Sequence, residues 1–128
     1  MQKQRIEKIA KQIVDSAYQV HNEMGPGLLE SVYECCLAEE LRLRGLFVEQ
    51  QVYIPLFYKG NELNKDFRID LLVEKEIVIE IKAVDFVLPV HQAQIISYLK
   101  LADKRIGFLI NFNVDLIKHG LKRFVNNY

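Results

Sequence analysis

Two strand-like runs with almost nothing between them constrain this chain more than any other feature. FRIDLLV (Phe67 to Val73) and IVIEIKAV (Ile77 to Val84) consist mainly of β-branched and aliphatic residues, and only Glu74-Lys75-Glu76 separates them. The pattern predicts a tight antiparallel hairpin with those three residues as its turn and as ordinary surface charge. Strict alternation puts Ile69, Leu71, Val73, Ile77, Ile79 and Ile81 on one face and Leu72 and Val78 on the other. A sheet that is apolar on both faces must be covered on both, so helices are expected on either side of it.

The polar residues inside this hairpin are therefore conspicuous. If Val73 faces Ile77, counting inward sets Asp70 opposite Glu80, and the pleat returns Lys82 to the face of Glu80. Directly opposed carboxylates repel, and removing each from water costs several kcal/mol. A cation between them is one solution, and two oxygen ligands beside an ammonium suit Mg²⁺-assisted hydrolysis of a phosphate ester. The alternative is structural: Asp70 paired with Arg68 or Lys82, and Glu80 with Lys82 as a solvated stripe. The apolar companions Leu72 and Val78 argue against a solvated face.

Composition sets the outer bounds. Half of the 128 residues are hydrophobic, enough for the core of one domain spanning 1–128. No signal peptide is recognisable and no run approaches the roughly 18 apolar residues of a membrane span, so a cytoplasmic protein is expected. Cys35 and Cys36 are adjacent, a poor geometry for a bridge, and are read as reduced thiols. Seventeen basic and seventeen acidic residues cancel, so charge gives no vote for nonspecific nucleic-acid binding. Basic residues do gather at Arg42 and Arg44 and at Lys118, His119, Lys122 and Arg123.

Along the chain, Ile6, Ile9, Ile13, Ala17, Val20 and Met24 recur at helical steps and predict an amphipathic first helix that Gly25-Pro26-Gly27 ends. A second helix is predicted from about Leu28 to Arg44, with Gly45 as its C′ residue. Phe47 to Ile54 and Leu56 to Tyr58 read as extended, separated by Pro55, and Lys59-Gly60-Asn61 turns the chain into the Leu63 to Val73 region. A third helix is expected over about Val90 to Ala102, a core strand over Arg105 to Phe112, a loop or short helical turn over Asn113 to Gly120, and an edge strand over Leu121 to Val125.

Other residues could join the site. Glu30 lies about 100° round the second helix from Leu29, near its apolar stripe. It is either a third carboxylate for Mg²⁺ or a first-turn acid favoured by the helix dipole. Gln94 and Tyr98 share a stripe of the third helix with His91, Ile95 and Ala102. Gln94 fits a contact to a phosphate or a bound water, while Tyr98 does the same or caps the core. His91 and His119 read as surface residues, and His21 as a C-terminal capping histidine more than a ligand. Neither a nucleophilic triad nor a phosphate-cradling glycine loop is present.

These residues also spell a known pattern. Gly27-Leu28-Leu29-Glu30-Ser31-Val32-Tyr33 matches the signature GxxExxY, and His21, Gly25-Pro26-Gly27, Asp70, Glu80-Ile81-Lys82 and QIISYL (Gln94 to Leu99) complete the set. From about residue 10 onward the chain resembles the GxxExxY proteins of the PD-(D/E)XK nuclease-like superfamily. Ile69 stands where the superfamily's name places proline. The resemblance implies an α/β (α+β) fold with a restriction-endonuclease-like αβββαβ core, a mixed central sheet flanked by helices, and here an extra N-terminal helix. It implies that Asp70, Glu80 and Glu30 bind Mg²⁺ or Mn²⁺, that Lys82 acts at the attacking water or phosphate, and that Gln94 and Tyr98 occupy polar positions beside them. Tyr33 and His21 are further candidates from the same signature. The implied activity is hydrolysis of phosphodiester bonds in DNA or RNA. The contrasting expectation is a non-catalytic module of the same fold that binds nucleic acid or a protein partner. A third is a homo-oligomer or a subunit of a larger assembly, because so small a domain offers little surface against the roughly 1,000–2,500 Å² of a specific DNA interface.

Overall fold

The computed structural model describes residues 2–128, the side chain of Asp66 excepted. Helix α1 (Gln2–Met24) and helix α2 (Glu30–Leu43) precede strands β1 (Val48–Tyr58), β2 (Asn61–Val73) and β3 (Ile77–Lys82). Helix α3 (Pro89–Leu101), strand β4 (Ile106–Asn111), a 3₁₀ turn (Ile117–His119) and strand β5 (Leu121–Val125) complete the chain. The five strands form one mixed sheet in sequential order, antiparallel except for the parallel pair β3–β4 that α3 connects.

The amphipathic stripe of α1 is buried from Ile6 to Val20, while Met24, at its end, is largely exposed. The stripe packs with Tyr33, Leu37 and Leu41 of α2 on Leu71, Val73, Ile77, Ile79, Ile81 and the inward face of β4. Helix α2 stops where glycine allows it: Gly45 has φ +83°, and the Gly45 and Leu46 amides donate to the Arg42 and Leu41 carbonyls. On the opposite face α3 lays Tyr98 and Leu99 on Ile54, Ile69, Leu72 and Val78. Gly107 makes this approach possible, because a β-carbon there would stand 3.0 Å from Ile95 and 3.1 Å from Leu99. The mixed α/β sheet with helices on both faces is the expected architecture.

Three local expectations change. The extended runs on either side of Pro55 form one strand, and the proline is absorbed by a register shift between Ile54 and Leu56. Ile69 faces α3 with Leu72 and Val78, not α1 with Leu71. The β1–β2 ladder skips from Val52–Ile69 to Gln50–Leu71, and the intervening Gln51 has φ +53°, so the alternation of faces breaks beside Asp70. Finally, the turn at Glu74-Lys75-Glu76 forms as predicted, with Glu74 and Lys75 at positive φ, but its charges are structural. Arg5 of α1 reaches Glu74 at 3.2 Å and Glu76 at 3.8 Å, and Glu74 accepts from the Phe47 amide at 2.6 Å.

Candidate active site

The β2–β3 ladder covers Leu71–Ile79, Leu72–Val78 and Val73–Ile77. One step further the register sets Asp70 opposite Glu80, and there side chains replace the backbone ladder. The Asp70 amide donates to Glu80 Oε1 at 3.2 Å, and the Ile81 amide donates to Asp70 Oδ2 at 2.8 Å. The strands stay joined, but through the two acids.

Glu80 is only 5 % exposed. Burial, then the Asp70 charge, pushes its carboxyl up to about 8, against smaller opposing effects of the Asp70 amide and the Lys82 ammonium. Asp70 is also raised, by burial first, while the Ile81 amide, Gln51 and Lys82 work the other way. Among the described residues, no ion pair within 4 Å joins Lys82 to either acid. The alternative pairing of Asp70 or Glu80 with Lys82 is therefore not formed as a close ion pair.

Lys82 is half-buried on the α3 side of the sheet. It lines a cleft of about 520 Å³ with Val90, His91, Ala93, Gln94 and Ser97. Asp70 and Glu80 are not part of that lining, but the Lys82 charge is close enough to favour ionisation of both. The strand's exit is fixed by Asn111, paired with Lys82 across β3–β4 and 3 % exposed. Asn111 donates to the Val84 carbonyl at 2.9 Å and accepts from the Val84 amide at 3.1 Å.

On helix α3, Gln94 and Tyr98 share one face. Gln94 donates to the Tyr98 hydroxyl at 3.0 Å. Burial, then the charges of Glu80 and Asp70, raise the Tyr98 phenol, whose ring lies in the core. His91 caps the helix by accepting from the Leu88 amide at 3.0 Å.

Glu30 is exposed in the first turn of α2 and accepts from the Ala83 amide at 3.4 Å, just beyond Lys82. Its charge opposes ionisation of Asp70, so it borders the site. Among the described residues, however, no three acidic, histidine or cysteine side chains converge into a metal-binding group. The two opposed acids are the close pair, and Glu30 stands off.

Two signature residues serve the scaffold. Tyr33 is fully buried, stacks on Phe112 at 4.6 Å, donates to the Gly25 carbonyl at 2.5 Å and accepts from the Leu28 amide at 3.1 Å. It latches the glycine-proline loop to the core. His21 Nε2 lies 2.7 Å from the Val114 carbonyl, so its side chain ties α1 to the loop after β4 instead of capping its own helix.

Two neighbours escaped the sequence reading. Gln51 Nε2 donates to Glu34 at 2.7 Å and to Asp70 Oδ1 at 3.3 Å, bridging α2 to the site. Glu34 lies one helical turn after Glu30, a spacing that could have flagged it. The basic groupings are largely engaged: Arg42 donates to Gln50 and Val48, Arg44 pairs with Glu40, Arg123 with Glu7, and Lys122 bonds Gln92. Cys35 and Cys36 are free thiols as expected, and no helix among the described residues is long and apolar enough to cross a membrane.

Oxygen donors opposed on two strands, a lysine beside them at a cleft and a glutamine-tyrosine pair on the crossing helix form a site able to hold a hard cation near a phosphate. No curated protein and no solved structure matches the chain. The family model of the PD-(D/E)XK nuclease superfamily does match, over residues 7–124, which takes in the sheet except the last residue of β5 and the three helices except the start of α1. The chain belongs to the PD-(D/E)XK nuclease superfamily.

Proposed function

We propose that this protein is a divalent-metal-dependent nuclease of the GxxExxY group, hydrolysing phosphodiester bonds of DNA or RNA with Mg²⁺ or Mn²⁺. The observation that carries the reading is the buried, opposed pair Asp70 and Glu80 with Lys82 at the adjoining cleft. Superfamily members generally use divalent metals, and the donor set fits one. Both acids are hard oxygen ligands whose ionisation burial opposes more than their hydrogen bonds and Lys82 favour it, so a bound cation would relieve the remaining cost.

In this reading Asp70 and Glu80 hold the ion, and Glu30 assists from α2. The ion supplies Lewis acidity toward phosphoryl oxygen and makes water more acidic. Lys82 brings fixed positive charge to the cleft, where charge builds on the phosphate as the nucleophile adds. Gln94, held to Tyr98, orients a phosphate oxygen or the attacking water. Purified protein incubated with DNA and RNA in Mg²⁺ or Mn²⁺ should cleave at least one of them, and Lys82→Ala should abolish the cleavage. An inactive wild type, or activity that survives Lys82→Ala, overturns the proposal.

The absence of a three-carboxylate cluster among the described residues favours one rival, a nuclease fold kept for binding with its acids idle. Calorimetric titration separates the two, since an idle site takes up neither Mg²⁺ nor Mn²⁺ at millimolar concentration.

A further inference from the structure

Immediately after the catalytic strand the chain runs Asp85-Phe86-Val87-Leu88-Pro89-Val90 into α3, and its apolar members point outward. Phe86 is 80 % exposed, Leu88 52 % and Val90 64 %. A phenylalanine this bare adds nothing to the core and costs apolar surface in water. The segment also has a particular position. Val90 lines the cleft that holds Lys82, while Val87 lines a second cleft with His119 and Lys122. The first turn of α3 is the wall between two hollows, each with a basic side chain, and Phe86 stands beside that wall.

We infer that the Phe86–Val90 segment is a stacking platform for an unpaired nucleobase, so that the site takes single-stranded nucleic acid in preference to continuous duplex. The inference rests on the nuclease reading above and names its substrate class. Phosphates and bases need different partners, and the segment adjoins both kinds: Lys82 in the cleft that Val90 lines, Lys122, bonded to the neutral Gln92 side chain at 2.9 Å, in the cleft that Val87 lines, and the exposed ring of Phe86 next to Val87 in the chain. That is the composition of surfaces that track single strands, where each base offers a face to stack on. In a duplex those faces are covered by neighbouring bases, and Phe86 would have nothing to engage. The charge balance points the same way. Gripping duplex by its phosphates alone needs many free basic contacts, but the chain carries no net charge and Arg42, Arg44 and Arg123 already have protein partners. Stacking supplies affinity that such a surface cannot draw from charge.

The chain contains no tryptophan, which makes the test direct. Phe86→Trp introduces a single indole at the platform, and its emission should be quenched when oligo(dT) is added in Ca²⁺. A blunt duplex of equal length should quench it far less. Phe86→Ala should bind oligo(dT) about 5- to 150-fold more weakly than wild type, and its unfolding midpoint should be unchanged because so exposed a ring contributes no packing. The inference fails by itself if wild type cleaves nucleic acid in a Lys82-dependent way while Phe86→Ala binds oligo(dT) as tightly as wild type, or if duplex binds as tightly as single strand. It also fails if sedimentation shows a dimer that Phe86→Ala dissociates, since a second copy would then cover the segment. If wild type neither binds nor cleaves any nucleic acid, the nuclease reading falls with it.

Discussion

Replacing Glu80 by glutamine should stabilise the metal-free protein in alkaline solution and leave it nearly unchanged in acid. Glutamine has the shape of the acid and keeps an oxygen for the Asp70 amide, which donates to Glu80 at 3.2 Å, but it cannot ionise. Between 4.5, the ordinary value for a glutamate, and about 8 the folded protein holds a proton on Glu80 that the unfolded chain releases. Wild-type stability is therefore fully present below the lower value and falls as pH rises toward the upper one. At about 1.4 kcal/mol per pH unit the full window corresponds to a loss of about 5 kcal/mol. Water entering the opened strand ends will solvate the ionised group, so about 2–3 kcal/mol is expected between pH 5 and pH 9, or about 10 °C in unfolding temperature. The assay is urea or thermal unfolding of both proteins in EDTA across that range, read as the difference between them. Taking the difference removes groups common to both, such as Glu7, whose bond to Arg123 lowers it to about 2 and stabilises the fold at higher pH. Parallel curves for the two proteins would refute the argument that Glu80 is buried at the expense of its charge.

Three other outcomes are expected. Binding of Mg²⁺ at pH 7 should release about one proton, seen as a buffer-dependent heat in calorimetry, and the release should vanish near pH 9 where Glu80 is already ionised. Tyr33→Phe should lose about 1–3 kcal/mol in urea unfolding, since the Leu28 amide loses its acceptor and the Gly25 carbonyl its donor. Gly120→Ala should cost about 3 kcal/mol or more by the same measurement, because its β-carbon would stand 2.0 Å from the Asn111 carbonyl oxygen, which is backbone and cannot step aside.

The central hairpin could be read from residue types because its turn is short and its register leaves no freedom. Once Val73 faces Ile77, Asp70 meets Glu80 by counting, and Lys82 follows from the pleat. The stripe on α3 likewise puts Gln94 and Tyr98 on one face, because a helix repeats faithfully over four residues, though it does not itself specify their mutual hydrogen bond. The reading fails where geometry is irregular. Counting from the tip pair Tyr58–Asn61 would set Asp70 opposite Glu49, but the shift at Pro55, which faces residues 64–66, delivers Gln51 instead. A second irregularity, at Gln51 beside Asp70, carries Ile69 to the α3 face. Glu30 and Tyr33 sit three apart in one motif and serve different ends, one reaching toward the end of the central strand β3 and the other locked under a loop. Nothing in their spacing distinguishes them, because the difference lies in which tertiary neighbours each meets.

Because Asp70 and Glu80 do the stitching that main-chain carbonyls do elsewhere in the sheet, the amide hydrogens of Asp70 and Ile81 are wired to the chemistry of the site. Any event that turns these acids toward a new guest loosens two stitches at the open end of the strands. Their NMR resonances and their rates of exchange with deuterium would thus act as a built-in gauge of occupancy, readable without substrate or turnover.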